Sequence, residues 1–403
     1  GAEMVIRSSA IPDDNPEVVA ARAAGIPVLK RAEFLEHILR GKEVIAIAGT
    51  HGKTTTTAMA AWALTRLGKD PSYIIGGVAK NMGRNAHLGT GEAFVIEADE
   101  YDNMFLGLSP DWIVLTVIEH DHPDCFPTLA DYRQAFGRFV QRLQPGGSLF
   151  TSAEDPESVT LLTSAPRNTH TWTYGYASTT TYQAIQVRTN QRGGCDFNVR
   201  YNPKGAPSQM LAAVSLQVPG QHNVRNALAV LGLLHRMGLD VQSGADALAQ
   251  FTGAGRRFDL RGEAGGITII DDYAHHPTEI RATLAAARLR YPNRRIWAVW
   301  QPHTFSRTLT LLEAFKMAFA DADQVIVTEV YGARESSSRF SAADLVAQMP
   351  HPSAHFAATL PEHVEVRFVD ENLEDIDFEA AVDFVGISMM LTMSLRQSLS
   401  KEL

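Results

Sequence analysis

The chain has few cysteines, no excess of basic residues and no long apolar run, and each absence excludes a class of protein. Cys125 and Cys195 are its only cysteines and lack CxxC spacing, so neither a disulfide framework nor a cysteine zinc site is expected. The net charge of −9 opposes a general basic surface for nucleic acid. No apolar stretch reaches the roughly 20 residues of a membrane-spanning helix. These features predict a cytoplasmic globular protein with reduced thiols.

The length of the chain indicates more than one domain. Its 403 residues exceed what a single hydrophobic core usually organises, so two or three domains are expected. Apolar residues make up 45% of the chain, which is enough to fill several cores. The sequence does not distinguish a monomer from a homodimer.

The most informative stretch joins an apolar run at residues 44–48 to an alanine-rich helix predicted over residues 58–67. Between them lies the pattern Gly49-x-x-Gly52-Lys53-Thr54. Glycines permit positive φ angles, and a helix N-terminus directs unpaired N–H groups at an anion. In phosphate-binding loops the lysine contacts the β- and γ-phosphates and the threonine hydroxyl binds Mg²⁺. The stretch therefore predicts a nucleoside triphosphate site. Its predicted nucleotide-binding residues are Gly49, Thr50, His51, Gly52, Lys53, Thr54 and Thr55.

Two acidic clusters follow predicted strands of the same region. A strand at residues 93–97 leads into EADEYD at 97–102, and a strand at 112–118 leads into EHDHPD at 119–124. The carboxyl ends of parallel strands form the ligand-binding edge of a doubly wound sheet. Carboxylates, completed by an imidazole, suit Mg²⁺ beside phosphates. The clusters therefore favour metal and nucleotide binding over solvated loop acids.

Alternating strands and helices predict three domains, at residues 1–42, 43–253 and 254–403. The first holds a strand at 4–6, a helix at 16–24, a strand at 26–29 and a helix at 32–39. We interpret it as the last part of a Rossmann-like domain whose first part precedes Gly1. Within the second, residues 148–218 predict an insertion of short antiparallel strands. A helix over residues 227–237 then follows, with Asn223 or Asn226 expected as its cap.

The third predicted domain is again α/β, with polar residues after its strands. Strands are expected at residues 267–270, 296–300 and 324–328, and a helix at 280–290. The pair Arg256 and Arg257 follows two glycines and can contact phosphates bidentately. His275 and His276 could each have a helix-capping role or a catalytic role. A two-histidine zinc site is disfavoured, since no third ligand lies at helical spacing.

Several motifs in this order resemble those of the Mur ligases of peptidoglycan synthesis. They are AGTHGKTT at 48–55, EADE at 97–100, HDH at 120–122, His222 and Asn223 with Asn226, RRF at 256–258 and DDYAHHPTE at 271–279. The stretches SSAIP at 8–12 and QPHTFSRT at 301–308 resemble in particular the members that use UDP-N-acetylmuramate and L-alanine. The resemblance implies an α/β, three-domain architecture: a partial Rossmann-like domain for the UDP-sugar, a central P-loop domain for ATP, and a Rossmann-like C-terminal domain for the amino acid.

The resemblance also implies a reaction and its participants. ATP would phosphorylate the lactyl carboxylate of UDP-N-acetylmuramate, and the amine of L-alanine would displace phosphate from the acyl phosphate. Lys53 is expected to hold the γ-phosphate. Thr54 and Glu97 are expected to bind one Mg²⁺, and His122 a second.

Further roles follow from the same resemblance. Nucleotide contacts are expected from Asn223 and Asn226 on the adenine side, and from Arg257 and Asp272. Tyr273, His276 and Arg307 are expected on the amino-acid side, with Arg307 pairing with a carboxylate or the acyl phosphate. His276 is the candidate general base, because imidazole titrates near neutral pH. The implied catalytic residues are Lys53, His122, His276 and Arg307.

Three other interpretations remain open at this point. A murein-tripeptide recycling ligase would use the same sugar nucleotide, and Tyr101 after Glu100 occurs in that enzyme too. The QPHTFSRT stretch and the YAHH run favour the alanine enzyme. A P-loop ATPase without ligase activity is a more distant alternative. A non-catalytic homologue is disfavoured, since Lys53, Thr54, Glu97 and His122 are all present.

Overall fold

The computed structural model describes residues 1–8, 11–333, 335, 339–358 and 384–389, which form two compact units. The first unit holds Gly1–Arg188, Asp196–Ser215 and Asn223–Phe251. The second holds Thr189–Cys195, Leu216–His222 and the described part of the chain from Thr252 onward. Residues 9 and 10 of the SSAIP stretch, and residues 390–403, lie outside the described residues. Division into three domains at residues 42 and 253 stays a prediction.

The first unit begins with a small parallel sheet that matches the predicted alternation. Strand β1 (Val5–Arg7) pairs with β2 (Val28–Lys30), with helix α1 (Pro16–Ala23) between them and α2 (Arg31–Leu39) after them. The Asn15 side chain accepts hydrogen bonds from the first backbone N–H groups of α1, and Pro16 occupies its first turn, where a missing N–H costs nothing. All four predicted elements are confirmed within two residues at each end.

A large sheet, ten strands wide among the described residues, organises the rest of this unit. Its order is β12-β11-β10-β9-β8-β7-β3-β6-β4-β5. The strands are β3 (Glu43–Ala48), β4 (Ser72–Ala79), β5 (Arg84–His87), β6 (Ala93–Glu97), β7 (Trp112–Leu115), β8 (Ser148–Ser152), β9 (His170–Gly175), β10 (Tyr182–Thr189), β11 (Cys195–Tyr201) and β12 (Gln209–Ser215). The helices are α3 (Lys53–Arg66), α4 (Leu129–Val140), α5 (Pro156–Thr160), α6 (Gln221–Arg236) and α7 (Val241–Leu248), with 3-10 turns at Tyr101–Gly107 and Leu161–Ser164.

The pairing within residues 148–218 differs from the predicted antiparallel insertion. Strand β8 pairs parallel with β7, and β9 pairs parallel with β8, so both extend the central sheet. Strand β10 also pairs parallel with β9 over a short stretch, whereas β11 and β12 are antiparallel. The prediction of antiparallel strands is therefore wrong for β8 and β9, and also for the pairing of β9 with β10. Alternation of polar and apolar residues marks a strand with one exposed face but does not specify its direction.

The central strand β3 is buried on both faces. Val44, Ala46 and Ala48 pack in one core with residues of α2 and α4, and all three are at most 3% exposed. Ile45 and Ile47 point to the opposite face and are fully buried. A parallel strand covered on both sides reads as an unbroken apolar run, which is why the sequence indicated it.

The second unit is also a mostly parallel sheet, with order β13-β14-β18-β15-β16-β17. Only β13 is antiparallel to its neighbour among the described pairs. The strands are β13 (Asp259–Ala264), β14 (Ile267–Asp272), β15 (Arg295–Trp300), β16 (Gln324–Thr328), β17 (Ala354–Ala357) and β18 (Phe384–Met389). The helices are α8 (Pro277–Arg290), α9 (Phe305–Thr310), α10 (Leu312–Lys316) and α11 (Ala342–Val346). Among the described residues, no helix has the length and apolarity needed to cross a membrane.

Candidate active site

The loop between β3 and α3 has the backbone that its glycines predicted. Gly49 has φ 132° and Gly52 has φ 82°, both in the region that glycine tolerates best. A Cβ on Gly49 would lie 2.1 Å from the Thr116 Oγ1 atom, so no side chain fits there. Helix α3 begins at Lys53, directly after Gly52. Its first-turn N–H groups therefore follow the glycine loop, the arrangement that binds phosphate in many proteins.

The Lys53 ammonium lies among buried acceptors. Its Nζ atom is 2.9 Å from Glu100 Oε2 and donates to the backbone carbonyls of Gly49 and Thr50. Burial alone would lower the pKa of Lys53, but the negative charges of Glu100, Asp99 and Glu97 outweigh it and raise that pKa above its ordinary value. Lys53 is consequently a fixed positive charge at the end of the loop.

Thr54 and Glu97 lie together, as the predicted metal site requires. The Thr54 hydroxyl donates to Glu97 Oε1 at 3.0 Å, and the Gly76 backbone N–H donates to Glu97 Oε2 at 2.7 Å. Strands β6 and β7 flank β3 on either side, so their carboxyl ends bring both acidic clusters to the loop. A hydroxyl and a carboxylate together form the all-oxygen ligand set that Mg²⁺ prefers. Thr55 follows in the same turn and is half-buried.

The cluster after β7 places His122 near Glu100. The His122 Nε2 atom is 3.8 Å from Glu100 Oε1 and 3.7 Å from Asp121 Oδ2. The Tyr101 ring packs edge-on against the His122 ring, with 5.1 Å between ring centres. His122 has a φ angle of 55°, which is uncommon for a residue with a Cβ. Strained backbone of this kind often occurs at functional positions.

The other loop residues contact the segment after β7. The Thr50 hydroxyl donates to the Glu119 carbonyl at 2.8 Å and lies 3.0 Å from the Tyr132 hydroxyl. His51 Nε2 lies 3.0 Å from Glu119 Oε2. These contacts fix the front of the loop to the neighbouring strand end, so Thr50 and His51 have a structural role beside any contact with nucleotide.

The two asparagines lie inside a helix instead of capping it. Helix α6 begins at Gln221, so Asn223 and Asn226 both fall in its first two turns, and the predicted cap is wrong. The Asn226 Nδ2 atom donates to Asn223 Oδ1 at 3.1 Å, and both side chains are buried. A Cβ on Gly52 would lie 3.1 Å from Asn226 Oδ1. Asn226 thus packs against the phosphate loop itself.

In the second unit, Asp272 binds the backbone next to Arg257. Asp272 accepts hydrogen bonds from the backbone N–H groups of Phe258 and Ala274, at 2.7 and 2.8 Å. Burial raises the pKa of Asp272 to about 6, although the Arg257 charge and these hydrogen bonds act in the other direction. The Arg257 guanidinium lies 5.3 Å from the centre of the Tyr273 ring and 3.6 Å from Glu279.

His276 is the N-cap of helix α8. Its Nδ1 atom accepts the Thr278 backbone N–H at 3.3 Å, while Glu279 accepts the backbone N–H of His276. The capping interpretation is therefore confirmed for His276. With Nδ1 as acceptor, the neutral ring carries its proton on Nε2. Action as a general base would require the ring to exchange tautomers or leave the cap.

Arg307 is buried after strand β15. It belongs to the first turn of α9 and is 4% exposed. Its Nη1 atom lies 3.0 Å from His303 Nδ1. Thr304, with φ 63°, caps α9 by accepting the Arg307 backbone N–H. A buried guanidinium needs anionic or strongly polar partners.

Sequence reasoning missed two residues of the first unit. Glu100 was placed in an acidic cluster but received no role, and Tyr132 was not singled out. The Tyr132 hydroxyl donates to Glu100 Oε1 at 2.8 Å, and burial, then the charges of Glu100 and Asp121, raise the Tyr132 pKa well above its ordinary value. Tyr132 lies on the apolar face of α4, where an aromatic residue signals core packing, so no local pattern identifies it.

Three regions of the chain match Mur ligase families. Residues 1–43 match the family described as Mur ligase family, catalytic domain. Residues 47–234 match the Mur ligase middle domain, and residues 256–376 match the Mur ligase glutamate ligase domain. The matches occur in the order in which the motifs occur in the sequence.

Named relatives and a solved structure agree with these matches. A UDP-N-acetylmuramate–L-alanine ligase of Frankia casuarinae is 42% identical over 391 residues, which cover 91% of this chain and 77% of that protein. Its counterpart from Acidithiobacillus ferrooxidans is 46% identical over 338 residues, covering 84% and 72%. The solved UDP-N-acetylmuramate-alanine ligase of Thermotoga maritima is 31% identical with a TM-score of 0.77, covering 99% of this chain and 85% of that one. The chain belongs to the Mur ligase family.

Proposed function

We propose that this protein is an ATP-dependent ligase that joins L-alanine to the lactyl carboxylate of UDP-N-acetylmuramate in peptidoglycan precursor synthesis. The observation that carries the proposal is the phosphate loop with Lys53, flanked by the acidic ends of β6 and β7. The alanine specificity is supported by the names of relatives at 42% and 46% identity. A tripeptide-recycling ligase and a P-loop ATPase without ligase activity are the alternatives that the experiment below separates. We place the reaction in the cytoplasm.

The reaction proceeds in two steps. ATP transfers its γ-phosphoryl group to the lactyl carboxylate, which releases ADP and forms an acyl phosphate. The α-amino group of L-alanine then attacks the acyl carbon, the bond from that carbon to the phosphate oxygen breaks, and an amide and inorganic phosphate remain. Neither step needs a covalent bond to the protein, so the protein contributes positioning and charge.

Residues of the first unit serve the phosphoryl transfer. Lys53 holds the γ-phosphate and offsets the charge that spreads over its oxygens. The backbone N–H groups from Gly49 to Thr55 surround the phosphates, and Asn223 and Asn226 on α6 contact the adenine side of the nucleotide. The oxygen atoms of Thr54 and Glu97 fit a Mg²⁺ ion, and His122 is the proposed ligand of a second. When bound, Mg²⁺ neutralises phosphate charge.

Residues of the second unit serve the nucleotide and the amine. Arg257 and Asp272 contact phosphate and ribose, and Tyr273 lines the amino-acid side with Arg307. The Arg307 guanidinium pairs with the alanine carboxylate, for which its planar geometry is suited. His276 receives the proton of the incoming ammonium, after its ring leaves the Thr278 N–H group. We further propose the domain limits 1–42 for the UDP-sugar, 43–253 for ATP and 254–403 for the amino acid.

The test is phosphate release by the full-length protein with ATP, Mg²⁺ and UDP-N-acetylmuramate. L-Alanine is compared with the L-Ala-D-Glu-diaminopimelate tripeptide. The variant Lys53→Ala removes the γ-phosphate contact, while Lys69→Ala changes an exposed lysine beyond the end of α3 and is the matched control. We expect alanine-dependent release that Lys53→Ala abolishes and Lys69→Ala preserves. Release only with the tripeptide would establish the recycling ligase, and release that ignores both amines would establish a plain ATPase.

A further inference from the structure

The Glu100 carboxylate is buried at the centre of the first unit's phosphate site, and no role assigned above uses it. Its residue is 1% exposed. The Lys53 Nζ atom lies 3.1 Å from Oε1 and 2.9 Å from Oε2. The Tyr132 hydroxyl donates to Oε1 at 2.8 Å, and His122 Nε2 is 3.8 Å away. Burying a carboxylate is unfavourable unless charged and hydrogen-bonding partners compensate. Here Lys53 and Tyr132 donate to Oε1, and the Lys53 charge lies next to Oε2.

The contacts of Lys53 account for all its hydrogen-bond donors. An ammonium group has three N–H donors. In this structure they are directed at the carbonyl oxygens of Gly49 and Thr50 and at Glu100 Oε1. A phosphate oxygen that receives a hydrogen bond from Lys53 must therefore displace one of these acceptors. The two carbonyls belong to the loop itself and carry no net charge. Glu100 is therefore the anion with which an incoming phosphate competes for the Lys53 ammonium group.

The position of Glu100 is fixed independently of Lys53. Tyr132, which donates to Glu100, also lies 3.0 Å from the Thr50 hydroxyl, so helix α4 ties the carboxylate to the front of the loop. The backbone that carries Glu100 continues from β6, next to β3 in the sheet. Glu100 can thus keep its place when Lys53 turns towards a phosphate, and can receive Lys53 again when the phosphate has left.

We propose that Glu100 is a positioning residue that holds Lys53 by an ion pair and yields it to the γ-phosphate when ATP binds. The inference rests on the proposed contact between Lys53 and the γ-phosphate. Two consequences follow. The Glu100 charge opposes nucleotide binding, because it competes with the phosphate for Lys53. The same contact keeps the Lys53 chain aligned with the loop, so its loss lowers the rate of phosphoryl transfer.

The test uses Glu100→Gln, which keeps the shape of the side chain and one carbonyl oxygen but removes the charge. Binding of the non-hydrolysable analogue AMP-PNP with Mg²⁺ is measured by titration calorimetry, and kcat by alanine-dependent phosphate release. We expect AMP-PNP to bind roughly tenfold tighter and kcat to fall at least about tenfold. A residue with a merely structural role would weaken binding and rate together. Unchanged or weaker AMP-PNP binding by Glu100→Gln would overturn the proposal.

Two further variants make the test independent of the folding of Glu100→Gln. Glu100→Asp keeps the negative charge but shortens the side chain by one methylene group, which moves the charge away from Lys53. We expect an AMP-PNP affinity within about twofold of wild type and a kcat reduced roughly tenfold. An unchanged kcat in Glu100→Asp would also overturn the proposal. Asp246→Asn is the control, since Asp246 is an exposed acid on α7 of the same unit and accepts a hydrogen bond from the Gln242 side chain at 2.9 Å. It should change affinity and kcat less than about twofold.

The design separates this inference from the proposed function. If the wild-type protein releases no phosphate with L-alanine, the ligase proposal fails. The AMP-PNP affinities of wild type, Glu100→Gln and Asp246→Asn still decide whether Glu100 competes with the nucleotide. If alanine-dependent release is present and the Glu100→Gln affinity is unchanged, only the present inference fails.

Discussion

The Thr54 hydroxyl donates a hydrogen bond to the Glu97 carboxylate, with 3.0 Å between Oγ1 and Oε1, and so links the first turn of α3 to the end of β6. The hydroxyl is also the atom through which Thr54 is proposed to bind Mg²⁺. Thr54→Ser keeps this oxygen and Thr54→Val removes it without changing the size of the side chain. We therefore expect Thr54→Val to lose at least about 100-fold in kcat/KM, and Thr54→Ser to lose less than about fivefold.

The measurement is phosphate release as a function of Mg²⁺ concentration. A control is Thr65→Val, because Thr65 lies on the same helix and its hydroxyl donates only to the Ala61 carbonyl among the described contacts. It should leave the Mg²⁺ dependence unchanged. Full activity of Thr54→Val at ordinary Mg²⁺ concentration would show that the hydroxyl is not a metal ligand.

Gly52 and Gly146 allow backbone strain to be separated from phosphate binding. Both have φ 82°, but a Cβ on Gly146 meets nothing within 4 Å, whereas one on Gly52 lies 3.1 Å from Asn226 Oδ1. Alanine at either position should cost roughly 1–2 kcal/mol of stability through its φ angle. Only Gly52→Ala should also raise the KM for ATP, by about tenfold or more, because it alters the loop that surrounds the phosphates.

Thermal unfolding and ATP-dependent kinetics of both alanine variants provide the comparison. Equal KM values in Gly52→Ala and Gly146→Ala would mean that the loop tolerates a side chain next to Asn226, and that its glycine is needed only for folding.

The proposed role of His276 as proton acceptor can be tested separately from its role as N-cap of α8. Asparagine is among the best N-caps, so His276→Asn keeps an acceptor for the Thr278 N–H group while removing the imidazole. His276→Ala removes both and should cost about 1 kcal/mol of stability. If His276 receives the proton of the amine, kcat should fall roughly 100-fold in both variants.

The result is obtained by measuring kcat and the melting temperature for each variant. Wild-type kcat in His276→Asn, with lower stability only in His276→Ala, would assign His276 to the cap alone and leave the proton acceptor to another group.

Asp272 makes the stability of the protein depend on pH in an unusual direction. Its folded-state pKa of about 6 is above the 3.8 of an ordinary aspartate. The folded state therefore holds the proton more tightly, so the contribution of Asp272 to stability is complete below about pH 4 and is lost as pH rises through about 6. The difference corresponds to roughly 3 kcal/mol at neutral pH, as an order of magnitude.

The free energy of unfolding of wild type and of Asp272→Asn is measured by thermal unfolding at several pH values from 4 to 7. The stability of wild type relative to the variant should decrease across this range. Asp240→Asn is a control, since hydrogen bonds from Ser243 lower the Asp240 pKa. Its contribution to stability is lost only below about pH 4, so the difference between wild type and Asp240→Asn should stay nearly constant from pH 4 to pH 7. A constant difference between wild type and Asp272→Asn would contradict the raised pKa.

Much of the fold could be predicted from local patterns. The apolar run of β3, the glycine loop and the helix after it each have a local physical cause, namely burial on both faces, positive φ and unpaired helix N–H groups. The four elements before Lys42 were predicted from the alternation of strand and helix patterns, and the Asn15 cap and Pro16 at the start of α1 are likewise local features. The direction of β8 and β9 was not predictable, because strand direction depends on which neighbour each strand pairs with.

By itself, the sequence determined the α/β class, the phosphate loop and the gathering of acids at strand ends. These properties follow from residues close together in the chain. The tertiary structure alone decided that Glu100 pairs with Lys53, that Tyr132 holds Glu100 from helix α4, and that Asn226 packs against Gly52. Those contacts join residues 32 to 174 positions apart, and only the order of strands in the sheet and the burial of the helices bring them together.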